Sequence, residues 1–189
     1  GNNAGMILDF GPLSGKNVLF KVALSYTSVE NAIENMDIEL PHWNFDDVHM
    51  ETRNIWNEML GRIDVQGGSE AQTIKFYTDL WHALLGRHKI NDVNGFYPDY
   101  THGPYINKRS SSAMKINRVP LNKDGGLKFN MYGFDSIWLT QWNLNILWGL
   151  AWPEVLDDFS ACLVQYAENG GLLPRGACAG GYSFIMTGC

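Results

Sequence analysis

Ser136-Ile137-Trp138-Leu139-Thr140-Gln141-Trp142-Asn143-Leu144-Asn145-Ile146-Leu147-Trp148-Gly149-Leu150-Ala151-Trp152 is the stretch whose reading decides the fold. Large apolar residues recur through it with no continuous polar stripe between them. A helix over 136–152 is therefore apolar nearly all round, and such a helix is buried on every face. The stretch predicts an inner helix covered by others. Pro153 ends it and starts a second helix, about 154–168, with a stripe of Val155, Leu156, Phe159, Leu163, Val164 and Tyr166. Asn169-Gly170-Gly171 closes that helix. A Gly-rich loop, 172–182, follows, and another helix is expected from Ser183.

Moving toward the N-terminus, residues 87–133 show no helical period. Gly, Pro, Asn, Asp and Ser dominate, with β-like pieces near 95–97 and 127–129. An irregular segment of this length is usually functional or mobile. Its many aromatic residues, Phe96, Tyr97, Tyr100 and Tyr105 among them, suit packing over a domain mouth. Before it, residues 44–86 read as a helical hairpin. Val48, Thr52, Ile55, Trp56, Met59 and Ile63 form one apolar stripe; Ile74, Tyr77, Leu80, Trp81, Leu84 and Leu85 form the second. Ser69-Glu70-Ala71-Gln72 between them is a capping box. Thr27-Ser28-Val29-Glu30 is a similar pattern and opens a short helix through about Leu40, closed by Pro41. Residues 4–27 read as two strands, Met6–Phe10 and Val18–Tyr26, around the turn cluster Gly11–Gly15. Two strands make no stable domain, so they are expected to be the end of a β-domain.

The 189 residues are 45% apolar and 18% charged, which excludes disorder. Net charge is −6, and the basic clusters Lys108-Arg109 and Arg87-His88-Lys89 are too short for a phosphate-tracking face, so no nucleic-acid partner is expected. No run of eighteen apolar residues occurs, so no membrane span is expected. Cys162, Cys178 and Cys189 are odd in number and lack a C-x-x-C, which indicates neither zinc nor a disulfide framework. Cys162 is expected to be a buried small residue. The closing Met186-Thr187-Gly188-Cys189 has no polar tail, as expected of a chain cut within a fold.

Glycoside hydrolysis usually needs two carboxylates. Asp46-Asp47 and Asp157-Asp158 are adjacent pairs, but both are expected in helical first turns, where acids favour the dipole. Asp135 differs, because it ends the aromatic insertion directly before the inner helix. It either caps that helix or meets a ligand at the pocket mouth. Trp138, Trp142 and Asn145 share one α-helical face at i, i+4, i+7. Ring faces flanked by amides suit sugar binding, and helix–helix hydrogen bonding is the alternative. Arg175 either faces the same pocket or makes a salt bridge. The histidines, His42, His49, His82, His88 and His102, have no metal-ligand spacing. No Gly-x-Ser-x-Gly elbow or phosphate loop occurs.

The paired helices, joined alternately by short turns and long aromatic loops, resemble part of a helical-hairpin toroid. Val22–Ala32, Trp56–Ile63, Phe76–Trp81, Asp92–Gly95, Ser136-Ile137-Trp138 and Met186–Cys189, in this order, carry a closer resemblance, to glycoside hydrolase family 92, the exo-α-mannosidases. The resemblance implies a mainly α chain: part of an (α/α)6 toroid catalytic domain preceded by the end of a β-sandwich. Residues 1–27 would be the last strands of that sandwich, 28–43 a linker helix and 44–189 the first catalytic hairpins. It further implies calcium-dependent, inverting removal of terminal α-mannose. The general acid, the base and the calcium ligands would lie outside this segment, with no catalytic or metal residue within it. What remains here is pocket wall: Asp135, Trp138, Trp142 and Arg175. Trp138 matches the Trp of the family's Ser-x-Trp-Asp pattern, but Leu139 stands at its Asp and Trp142 at a usual Arg. That departure keeps open a divergent specificity or a non-catalytic carbohydrate-binding relative. The expected partners are a mannose-containing glycan and the remainder of the same polypeptide. A periplasmic, cell-surface or secreted location is expected from the substrate class.

Overall fold

The structure is a computed structural model that describes residues 5–15, 17–85, 88–102, 114–133, 140–174, 176–178 and 180–182. Ser28 starts the first helix, α1 (Val29–Glu39), by accepting the N–H of Asn31 (3.0 Å). The cap is thus Ser28 and not Thr27, whose hydroxyl turns to Asp92 instead. Helix α2 (Phe45–Leu60) starts at Asn44, whose side chain accepts from Asp46 (3.1 Å) and Asp47 (3.4 Å). Helix α3 (Glu70–Leu84) opens on the expected capping box: Ser69 takes the N–H of Gln72 (3.4 Å), and Gln72 takes that of Ser69 (2.8 Å). Two orphan donors are satisfied reciprocally.

The insertion between α3 and the apolar stretch folds as short ribbons. Strand β1 (His88–Lys89) pairs antiparallel with β4 (Tyr132–Gly133). Between them, β2 (Phe96–Asp99) pairs antiparallel with β3 (Lys115–Arg118), in register Phe96 to Arg118 and Asp99 to Lys115. Only the first of these had a β-like signal in its sequence. The 127–129 piece makes no strand but one bridge, Leu121 to Leu127.

The apolar stretch departs from a single helix over 136–152. Residues 134–139 lie outside the described set. Thr140–Leu144 form a π turn, α4 (Asn145–Ala151) continues it, and α5 (Pro153–Gly170) follows with Pro153 at its first position. Nor is α4 covered on every face. Trp148 and Trp152 are buried, but Trp142, Ile146 and Leu150 are 73%, 60% and 81% exposed. Those three, four residues apart, form a bare stripe that no described residue covers. Helix α5 ends at Gly171, in the left-handed region (φ 82°) that a helix C-cap favours. A last pair, β5 (Ala177–Cys178) and β6 (Gly181–Tyr182), is antiparallel, and β5 lies beside β4.

The core gathers where α3, α4, α5 and the ribbons meet. Phe159 packs edge-on to Tyr132 (4.5 Å between ring centres) and tilted against Trp148 (4.7 Å). Trp152 donates its indole N–H to the Met59 carbonyl (3.2 Å). Arg62 bonds the Ala151 carbonyl (3.1 Å) and the Glu154 carboxylate, so the end of α2 is fastened to the α4–α5 junction. The strands expected within 4–27 make no ladder among the described residues. That segment leaves Ile7, Leu24 and Met6 largely bare. Lys21 anchors it: the ammonium donates to the Leu40 carbonyl (2.5 Å) and lies 4.5 Å above the Trp43 ring.

Candidate functional site

Helix α5 presents Phe159, Cys162 and Tyr166 on one buried face, the i, i+3, i+7 positions of its stripe. Strand β4 rests on that face. The Tyr132 N–H donates to Cys162 Sγ (3.2 Å), whose thiol points back to the Tyr132 carbonyl (3.6 Å). The Tyr166 hydroxyl donates to the same carbonyl (3.2 Å) and accepts the N–H of Gly180 (3.1 Å). One phenol therefore joins β4 to the β5–β6 turn. Gly180 in turn accepts the N–H of Tyr100 (2.7 Å). A Cβ at Gly180 would lie 2.1 Å from the Pro98 carbonyl oxygen, and its φ is 91°, so only glycine lets the two loops meet this closely.

Beside this seam lies a buried polar group. Asp99 accepts the N–H (2.8 Å) and hydroxyl (2.7 Å) of Thr101 and the amide of Asn117 (2.8 Å). The Tyr97 hydroxyl accepts from Asn169 (2.9 Å). Burial, and then the nearby Asp99 charge, raise the Tyr97 pKa against the opposing hydrogen bond from Asn169. Burial pushes the Cys162 thiol up to about 12 and raises Tyr132 as well. Cys162 is therefore a buried, protonated structural thiol, as its sequence context predicts, and not a nucleophile.

Of the four pocket residues expected from the sequence, Asp135, Trp138 and Arg175 lie outside the described residues. Their flanks are described. Strand β4 ends at Gly133, two residues before Asp135, and β5 begins two residues after Arg175, with Pro174 and Gly176 buried on either side of it. The β4–β5 contact and the Tyr166 bridge bring these two flanks together. Trp142 stands in the π turn with its indole largely exposed. Single π turns inside α-helices are frequent at functional sites. The wider repeat there breaks the i, i+4, i+7 face drawn for a continuous α-helix, so Trp142 and Asn145 do not simply continue that face. An exposed indole beside Asn143 can stack on an apolar sugar face while the amide meets a hydroxyl.

The adjacent acidic pairs lie on helices. Asp46 and Asp47 occupy the first turn of α2. Asp158 lies in the second turn of α5 and not its first; it accepts the N–H (3.2 Å) and amide (2.8 Å) of Asn130. Among the described residues, no group of three or more His, Cys, Asp or Glu is placed to hold a metal. The buried carboxylates of Asp92 and Asp99 are engaged by N–H and O–H donors. Tyr166 and Asn169 are marked in the sequence only as part of the α5 stripe and of the Asn-Gly-Gly that closes it, and Asp99 not at all, because their partners are distant in the chain.

The model of the glycosyl hydrolase family 92 catalytic domain matches residues 31–189. Among solved structures, the family GH92 α-mannosidase BT3965 from Bacteroides thetaiotaomicron is similar, with a TM-score of 0.70 at 21% identity over 86% of this chain. The family GH92 inverting mannosidase BT2199 from the same organism has a TM-score of 0.66 at 24% identity over 87% of it. The GH92 glycosyl hydrolase ccman5 has a TM-score of 0.60 at 19% identity over 85%. The chain spans only 19% and 20% of the first two proteins. No curated protein matches.

Proposed function

The chain belongs to glycosyl hydrolase family 92, and from that premise we propose that it is the opening part of the toroidal catalytic domain of an exo-α-mannosidase. Family membership supports hydrolysis of a glycosidic bond, and two of the similar structures are named mannosidases. In this reading residues 1–27 end a preceding β-domain and 28–43 link it to the catalytic hairpins. The general acid and base lie outside residues 1–189. Inversion needs two carboxyl groups about 6.5–9.5 Å apart, with water between them; one of the similar enzymes is named an inverting mannosidase.

The contribution of this chain is a pocket wall. Trp142 is the observation that carries it: a bare indole on the π turn that leads into α4. In the proposed site, Trp142 and Trp138 stack on the sugar, while Asp135 and Arg175 bind its hydroxyls from the β4 and β5 flanks. Calcium, as the family resemblance implies, would bind the sugar hydroxyls through residues outside this segment. N-glycans are the natural source of such mannosides, which suits a periplasmic, cell-surface or secreted protein. No described helix is long and apolar enough to cross a membrane.

The test is an assay of the full-length polypeptide on a terminal α-mannoside, followed by NMR of the newly released sugar. The β anomer should appear first, and chelation should abolish turnover. Initial release of the α anomer would overturn inversion, and undiminished turnover in chelator would overturn the calcium requirement. A non-catalytic carbohydrate binder is the second reading, favoured by Leu139 and Trp142 at positions where the family usually has Asp and Arg. Saturable mannoside binding without turnover would select it.

A further inference from the structure

Asp92 is 2% exposed and lies in the loop between β1 and β2. Its carboxylate is met by chain from far upstream. One oxygen accepts the hydroxyls of Ser25 (2.9 Å) and Thr27 and the amide of Asn31 (3.1 Å); the other accepts the amide of Asn35 (2.8 Å). These donors are themselves committed. The Ser25 oxygen accepts the N–H of Thr27 (3.0 Å) and of Ser28 (3.3 Å), which directs its own proton at Asp92. Asn35 gives its other amide proton to the Leu24 carbonyl (3.0 Å) and takes the N–H of Val93 (2.9 Å). Asn94 closes the far side, donating to Asn31 (3.0 Å) and Glu34 (2.7 Å).

Beyond this group and the Asn94 contacts beside it, α1 has only the half-buried Ala32 and Met36 as apolar contact. Its one buried residue is Asn35, a member of this group, while Val29, Ile33 and Ile38 are all exposed. A helix held by the hydrophobic effect hides its apolar stripe; α1 is held at a polar knot around one charge. Hydrogen bonds to a buried charge are strong, and leaving several donors without it costs more than the sum of exposed contacts. Such an attachment is all-or-none. Once Asp92 lets go, only the half-buried Ala32, Met36 and Leu40 offer apolar surface to retain the helix.

We propose that the Asp92 carboxylate is a latch. Residues 24–40 are fastened to the rest of the chain by it, and they open as one unit while the core around Trp148, Trp152 and Tyr166 stays folded. Local opening of this kind is read by amide hydrogen exchange. The inference does not depend on the glycosidase reading.

The experiment is hydrogen exchange, by mass spectrometry at low temperature, on the 189-residue chain and three variants. In the parent, α1 amides should exchange faster than α5 amides. Asp92→Asn keeps the shape but sets an amide against the Asn31 and Asn35 donors. It should speed α1 exchange by roughly tenfold or more and leave α5 within about twofold. Ile33→Ala, at an exposed apolar position, should leave both helices within about twofold. If Asp92→Asn unfolds the whole chain, Asn31→Ala decides, since it removes one donor and spares the acid; α1 alone should then accelerate. Three results would overturn the latch: unchanged α1 exchange in Asp92→Asn, parallel acceleration of α1 and α5 in Asn31→Ala, or an Ile33→Ala effect as large as that of Asp92→Asn.

Discussion

At the scale of single residues, Trp142 and Cys162 make opposite demands on their surroundings. Trp142 exposes a large apolar face that gains nothing from water, which is tolerable where a ligand covers it. In the full-length protein, Trp142→Ala should raise KM for a mannoside roughly tenfold, the loss of a stacking contact of about 1 kcal/mol or somewhat more, with a smaller change in kcat. Unchanged KM would remove Trp142 from the pocket wall. Cys162 is fully buried between Tyr132 and α5, and its thiol titrates near 12 in place of the ordinary 9.0. The folded chain therefore binds this proton more tightly than the unfolded chain. Its stabilising contribution is complete below pH 9 and is lost as pH rises from 9 toward 12, by about 1.4 kcal/mol per pH unit where the two states differ by one proton. The raised Tyr132 and Tyr97 act in the same direction above pH 10. Melting temperature should fall steeply above pH 9, and Cys162→Ala should shallow that fall. A flat alkaline profile would contradict the buried thiol.

At the scale of elements, helix boundaries were legible because they are written locally. Asn44 and Ser69 begin α2 and α3 where their side chains can take helix N–H groups, and Pro153 and Gly171 bracket α5. Ser69→Ala should cost about 1 kcal/mol of stability, measured by denaturant midpoint, since the hydroxyl that takes the Gln72 N–H is lost while the backbone N–H of residue 69 still reaches the Gln72 side chain. What the sequence does not show is pairing at a distance. Strand β3 has no apolar alternation to announce it; it exists because Phe96–Asp99 lies opposite. The π turn at 140–144 is equally silent, and it breaks the α-helical spacing predicted between Trp142 and Asn145. Thr27 reads as a cap until Asp92, sixty-five positions on in the chain, draws its hydroxyl away and leaves the capping to Ser28. Gly180 illustrates the same limit: a Gly-rich loop is visible in sequence, but the Pro98 carbonyl that demands the glycine is not. Gly180→Ala should destabilise the chain by a few kcal/mol, through both the clash and the positive φ, and a near-neutral effect on the melting temperature would contradict that close approach.

At the scale of the whole molecule, several apolar surfaces of the described residues lack cover, and two of them are continuous. One is the stripe of Trp142, Ile146 and Leu150; the other is the open apolar groove along α2 and α3 that Leu60, Ile74, Tyr77 and Trp81 line. Contiguous bare apolar surface of this kind marks sites that another surface or a ligand covers. The 189-residue chain by itself should therefore bind a hydrophobic dye strongly in its folded state and melt at modest temperature. A high, sharp melt with no dye binding would contradict this. The chain spans about a fifth of the structures it resembles. The most direct test is sugar release by the full-length polypeptide from a panel of terminal glycosides of different sugars. The account predicts mannose release from α-mannosides well above any other sugar. Release of a different sugar, or binding with no turnover on any member of the panel, would contradict it.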